Sequence, residues 1–168
     1  AQPPPFDACF CPFSYEEPVS KQIQSFKYHE RPELAKSLAQ LLCREIKANN
    51  LEHPELIIPA PLHISRLRER GYNQSALLAC ALGKMLGVAV ATNIIKKSRK
   101  TEPQAQLSFR QRTKNLIGSF EIAKPPSASH VAIVDDVVTT GATAAEITKI
   151  LKRNGVDYVQ VWGIAHTV

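Results

Sequence analysis

A chain of 168 residues, 44% hydrophobic and 21% charged, has the size and composition of one globular domain, which excludes a disordered or fibrous protein. No apolar run reaches the ~18 residues that cross a bilayer, and no signal-peptide pattern opens the sequence; the expectation is a cytoplasmic protein without membrane insertion. The net charge of +6 is uneven, because residues 61–115 hold eleven Lys/Arg against two acids (+9) while the remainder is −3. Self-repulsion on that scale works against compactness and suits a polyanion, either nucleic acid or a phosphorylated small molecule.

Ala1 to Pro5 read as an extended linker, since consecutive prolines exclude helix. Residues 6–15, rich in aromatics and cysteine, suggest one short strand with Pro12 at an edge or bulge. Leu34, Leu38, Leu41, Leu42 and Ile46 fall on one helical face, with Pro32 in the first turn and Asn49-Asn50 at the end. Leu56-Ile57-Ile58 is a buried strand running into a proline loop. Asn73 opens a second helix with Leu78, Leu82, Met85 and Leu86 on one face and Gly87 as its stop. Val88 to Ile95 reads as a strand, and residues 96–116 as a polar, basic connection. Val131 to Val134 forms a strand that ends at Asp135-Asp136. A helix follows from Gly141 to Arg153, and Tyr158 to Ile164 closes the sheet. The predicted fold class is α/β, a mainly parallel sheet flanked by helices, with ligands at the carboxyl ends of strands.

Cys9, Cys11, Cys43 and Cys80 have neither paired metal spacing nor the density of a secreted scaffold, so reduced thiols and no zinc in this chain are expected. Most of the histidines are expected as caps or surface residues, while His63 stands apart within the loop that follows Leu56-Ile57-Ile58. The first residue is Ala1 rather than a methionine, and the expectation is a fragment whose natural N-terminus lies upstream.

Val131-Ala132-Ile133-Val134-Asp135-Asp136-Val137-Val138-Thr139-Thr140-Gly141-Ala142-Thr143 carries the chemistry. A buried strand delivers two carboxylates and then a threonine-rich turn at a helix N-terminus. There a glycine admits close backbone approach, and the helix dipole favours a phosphate monoester. The acids would repel that phosphate if they faced it, and make sense as acceptors for two sugar hydroxyls one ribose away.

This stretch resembles the phosphoribosyl pyrophosphate motif of type I phosphoribosyltransferases. Pro61-Leu62, Arg66 and Arg70-Gly71-Tyr72-Asn73-Gln74 resemble a block of the ComF/GntX family, which is linked with DNA uptake and natural transformation. Phe26-Lys27-Tyr28 and the run Arg99, Thr101, Gln104, Leu107, Arg110, Arg112, Asn115 are similar to other parts of that family, so the likeness covers nearly the whole chain. The cysteine-rich zinc ribbon that often opens such proteins is not among these residues, and its place would be upstream of Ala1.

The resemblance implies a type I phosphoribosyltransferase-like fold, with linker and small hood over residues 1–50 and the core over 51–168. It gives Asp135 and Asp136 the ribose hydroxyls and the catalytic role, and residues 138–143 (Val138, Thr139, Thr140, Gly141, Ala142, Thr143) the 5′-phosphate. Arg66, Arg70 and Gly71, within a loop at residues 59–71, would take the pyrophosphate. Arg99 and Lys100 would ride on a closing lid at residues 98–112. Magnesium would arrive with the phosphoribosyl pyrophosphate, not on a protein site. Arg110, Arg112 and Lys114 would face single-stranded DNA or simply solvent, and competence proteins such as the competence helicase are implied partners. Two readings stay open. One is a Mg²⁺-dependent transferase of the phosphoribosyl group; the other is a non-catalytic single-stranded DNA-handling module that keeps the phosphate cradle.

Overall fold

The computed structural model of the protein describes residues 3–28, 31–99 and 116–167. In chain order the elements are β1 (Ala8–Phe10), β2 (Phe13–Ser14), α1 (Val19–Tyr28), α2 (Leu34–Ala48), β3 (Leu56–Pro59), α3 (Ile64–Arg70) and α4 (Gln74–Leu86). They continue with β4 (Ala89–Val90), β5 (Ile95–Lys97), β6 (Phe120–Ile122), β7 (His130–Val138), α5 (Ala142–Arg153) and β8 (Tyr158–His166). The main sheet runs β1-β8-β7-β3-β4, with β2 also on β8, and every pairing in it is parallel. Strands β5 and β6 form a separate antiparallel ribbon in which Ile95 faces Ile122.

Near-continuous apolar runs in β3, β7 and β8 mark strands covered on both faces. Side chains alternate across the sheet. Ile57, Ala132, Val134 and Trp162 pack against Ile23 and Phe26 of α1, Leu38 and Leu42 of α2, and Leu78 and Leu82 of α4. Ile58, Val131, Ile133 and Val159 face the other way, onto Ile147 and Leu151 of α5. Truncating one of these fully buried leucines to alanine costs about 2–5 kcal/mol.

The expected α/β class holds, and several boundaries move. Strand β7 does not end at the acid pair; it runs on to Val138, with Asp135 opposite Gly163 and Val138 opposite His166. Strand β8 likewise extends beyond Ile164 to His166. The segment around Pro12 is two short strands, both borrowing the same side of β8. Val88 to Ile95 is not one strand, because the chain leaves the main sheet after Val90 and starts the ribbon at Ile95. Helix α1 lies in a stretch without an expected element, and residues 59–71 are not all loop, since Ile64–Arg70 is helical. His63 caps that helix, its Nδ1 accepting from the Ser65 amide at 3.2 Å.

From β3 the chain passes through α4 to β4 on one side, while β7 and β8 are added on the other. The carboxyl ends of β3 and β7 therefore flank a switch in strand order, the usual place for a ligand crevice in such sheets.

Candidate functional site

A cleft of about 360 Å³ opens at that switch. Its floor is Ala60 and Pro61, just past β3, with the last four residues of β7, and its walls come from α1, α3, β5 and the start of α5. The cations lining it are Lys27, Arg66, Arg70 and Lys97, and the acids are Asp135 and Asp136. Among the described residues, four cations face two acids in this cleft, so its lining is net positive.

The acid pair is held tightly. Asp136 is 2% exposed and its Oδ2 lies 3.0 Å from the Lys27 ammonium, which α1 carries in from the distant N-terminal region. Burial opposes the Lys27 charge, but Asp136 and then Asp135 outweigh it and raise the lysine's pKa. The other Asp136 oxygen accepts from the Val137 amide at 2.8 Å. Asp135 opens partly to the cleft, and its Oδ1 accepts from the Ser75 hydroxyl and the Asp136 amide, each at 2.9 Å. Burial, with the charge of Asp136 beside it, pushes the Asp135 carboxyl up to about 7. One acid of the pair is thus neutralised by a lysine, and the other is poised to hold a proton near neutrality.

The turn after β7 behaves as its sequence suggests. Gly141 sits at φ +70°, left-handed backbone that favours glycine, and an added Cβ would press on the Phe6 ring at 3.4 Å. Val138, Thr139, Gly141, Ala142 and Thr143 line the cleft. Thr140 does not; its hydroxyl accepts from the Ala142 amide at 3.3 Å and so helps start α5.

On the opposite wall, Arg66 and Arg70 sit one helical turn apart on α3 and both reach the cleft. Arg70 donates to Gln74 and stacks over the Tyr28 ring at 5.3 Å. Gly71 ends α3 at φ +84° and is not among the cleft-lining residues, so its part is to turn the chain. Most of the block that follows is scaffold. Tyr72 donates to the Phe26 carbonyl and pins α1, while Asn73 caps α4 by accepting from Ser75 and Ala76. The Asn73 Nδ2 also donates to the Ala60 carbonyl at 3.1 Å, tying the end of β3 to α4.

Lys27, Ser75 and Lys97 are site residues that motif spacing did not single out as such. Only Lys27 carried a signal, as a charge between Phe26 and Tyr28. Burial, and then the Arg66 charge, lower the pKa of Lys97, and both cations line the cleft. Arg99 points elsewhere, donating to the Ile117 carbonyl at 3.1 Å. Lys100, Arg110, Arg112 and Lys114 lie outside the described residues.

The fold and this crevice define a mainly parallel α/β protein with a cation-rich, acid-paired site at its strand ends. No family model matches the chain. It is 39% identical to the DNA utilization protein YhgH of Salmonella typhimurium, over 99% of this chain and 75% of that one. It is equally 39% identical to competence protein F of Haemophilus influenzae, over 98% and 75%. The chain belongs to the family of these two proteins, the family its motif blocks resemble. Among solved structures it is similar to a purine phosphoribosyltransferase of Pyrococcus horikoshii (15% identity, TM-score 0.44, 79% of this chain and 84% of that one). A hypoxanthine phosphoribosyltransferase of Staphylococcus aureus follows at 17% identity and TM-score 0.42, covering 76% and 62%. No helix among the described residues is long and apolar enough to cross a membrane.

Proposed function

We propose that the cleft binds phosphoribosyl pyrophosphate and that the protein serves DNA uptake or use, as the names of its relatives indicate for them. The observation that carries the first half is the meeting, in one crevice, of an acid pair, a glycine-threonine turn at a helix N-terminus and four cations. The 5′-phosphate sits on the turn at residues 139–143, where the α5 dipole and backbone donors favour it. Asp135 accepts a ribose hydroxyl, and Asp136 acts with it while Lys27 fixes its orientation. The pyrophosphate lies between Arg66 and Lys97, whose mutual repulsion an anion relieves, with Arg70 at the rim. Magnesium enters on the oxygens of the diphosphate. Transfer of the phosphoribosyl group would then rest on electrostatic stabilisation of the leaving pyrophosphate and of the sugar cation.

Calorimetry with phosphoribosyl pyrophosphate, with and without Mg²⁺, tests the reading. Wild type shows Mg²⁺-dependent heat. Arg66→Ala weakens binding by roughly ten- to a hundredfold, as loss of a charge-assisted hydrogen bond of about 1.5–3 kcal/mol requires. Absence of heat in the wild type, or an unchanged affinity in the variant, overturns it. Released pyrophosphate in the presence of an acceptor separates transfer from binding.

A second reading has its own observation, the +9 balance over residues 61–115, which exceeds what one diphosphate needs. It makes the chain a single-stranded DNA-handling module in which the basic segment neutralises backbone phosphates.

A further inference from the structure

The thiols of Cys9, the middle residue of β1, and Cys11, in the two-residue link from β1 to β2, lie 3.9 Å apart, and both are free. Cys9 is exposed, while Cys11 is half-buried. The site already described does not use either group. We propose that Cys9 and Cys11 form a reversible redox dithiol on the rim of the sheet, oxidised to an intrachain disulfide by a low-molecular-weight disulfide such as oxidised glutathione.

The geometry assigns the two roles. A disulfide needs its sulfurs at about 2.05 Å, so closure moves them together by roughly 2 Å. Cys9 is held in β1 opposite Val161, so the movement falls on Cys11, which lies in the link between two short strands and before Pro12. Cys9 is the attacking thiol, because solvent reaches it and because a hydrogen bond from Cys11 favours its thiolate over the opposing effect of burial. Cys11 is the resolving thiol; the Cys9 sulfur and burial both hold its proton on until Cys9 has reacted.

The exchange balances. The Cys9 thiolate attacks one sulfur of the oxidised glutathione, breaking its S–S bond and releasing one glutathione thiolate. Cys11 then gives its proton to solvent, attacks the Cys9 sulfur and expels the second glutathione thiolate. Two electrons pass from the protein to the glutathione disulfide, and the two protons end on the two glutathione thiols.

The position of Cys11 links this site to the rest of the sheet. Its sulfur packs on the backbone of Gly163, where an added Cβ would lie 2.8 Å from it, and Gly163 is the register partner of Asp135. Oxidation draws that sulfur off Gly163 toward Cys9.

The other thiols are internal controls, since Cys80 is exposed and Cys43 is buried. The full chain is equilibrated with oxidised glutathione, quenched with an alkylating reagent and digested with trypsin. The tryptic peptide ending at Lys21 contains Cys9 and Cys11 and no other cysteine. The expected peptide is lighter than its reduced form by two hydrogen atoms and unalkylated, while Cys80 carries glutathione. Cys11→Ser leaves Cys9 as a stable mixed disulfide, and added dithiothreitol restores both wild-type thiols. Alkylation of both residues after oxidant, or a wild-type Cys9 that keeps its glutathione, overturns the proposal. The readout requires no ligand, so it succeeds or fails independently of phosphoribosyl pyrophosphate binding.

Discussion

Lys27 and Asp136 are a buried ion pair whose partners arrive from opposite ends of the sequence. Removing one member of such a pair leaves the other charge without compensation, at about 3–5 kcal/mol, whereas replacing both with apolar groups is often near neutral. Lys27→Met is therefore expected to lower the unfolding free energy by that amount, and Lys27→Met with Asp136→Leu to recover most of it; urea titrations measure both. Asp135 gives the opposite kind of effect. Its folded pKa of about 7 lies above the ordinary carboxyl value, so between roughly pH 4 and 7 the folded chain holds a proton that the unfolded chain has released. Stability from this group is highest at the acid end and declines as pH rises through that window. The decline is at most about 4 kcal/mol, at about 1.4 kcal/mol per pH unit. Asp135→Asn should flatten that slope relative to wild type in unfolding experiments from pH 4 to 8, and superimposable profiles would refute the assignment.

Among the helices, α3 and α4 are consecutive and opposite in character. Helix α4 buries Leu78, Ala79 and Leu82 and is capped by Asn73, while α3 buries nothing. Local opening is governed by such differences in buried apolar contact. Amides of Leu67 to Arg70 should exchange with solvent orders of magnitude faster than those of Leu78 to Leu82, and phosphoribosyl pyrophosphate should narrow the gap by engaging Arg66. Equal protection in the two helices without ligand would show that α3 is held by more than its arginines. The same contrast explains what the sequence disclosed. The apolar stripe of α4 and the unbroken apolar run of β7 announce their elements, and the acid pair and Gly141 follow from β7 by adjacency. The stretch ISRLRER has no stripe to read, since Ile64 is 51% exposed. Helix α1 shows only Ile23 and Phe26 as buried positions, too few to mark a helix among serines, glutamines and lysines. The role of Lys27 was illegible for a different reason, because it depends on where α1 docks, which is a long-range fact.

For the whole molecule, the uneven charge makes a prediction that small-molecule binding does not. If Arg99, Lys100, Arg110, Arg112 and Lys114 each neutralise one phosphate of a single strand, log K should fall with log salt at a slope near −3.5, from roughly −0.7 per contact. Reversing the charges of Arg110 and Arg112 should flatten the slope by about 1.4 while leaving phosphoribosyl pyrophosphate heat unchanged. Anisotropy titrations across ~50–200 mM salt measure it, and a slope unaltered by the variant assigns those residues to solvent or to the cleft.

The pairing of β1 with β8 also bears on how the molecule is made. Among the described residues, Ala8 to Phe10 have as their only strand partner Gln160 to Trp162, far later in the chain. Strand β7 likewise needs β8 on one side. Until β8 is synthesised, the nascent chain carries Cys9, Phe10 and the apolar run of β7 with open edges, the condition that invites association between chains. Assembly of this sheet thus waits for β8, and β1, made well before it, is among the last strands to be locked.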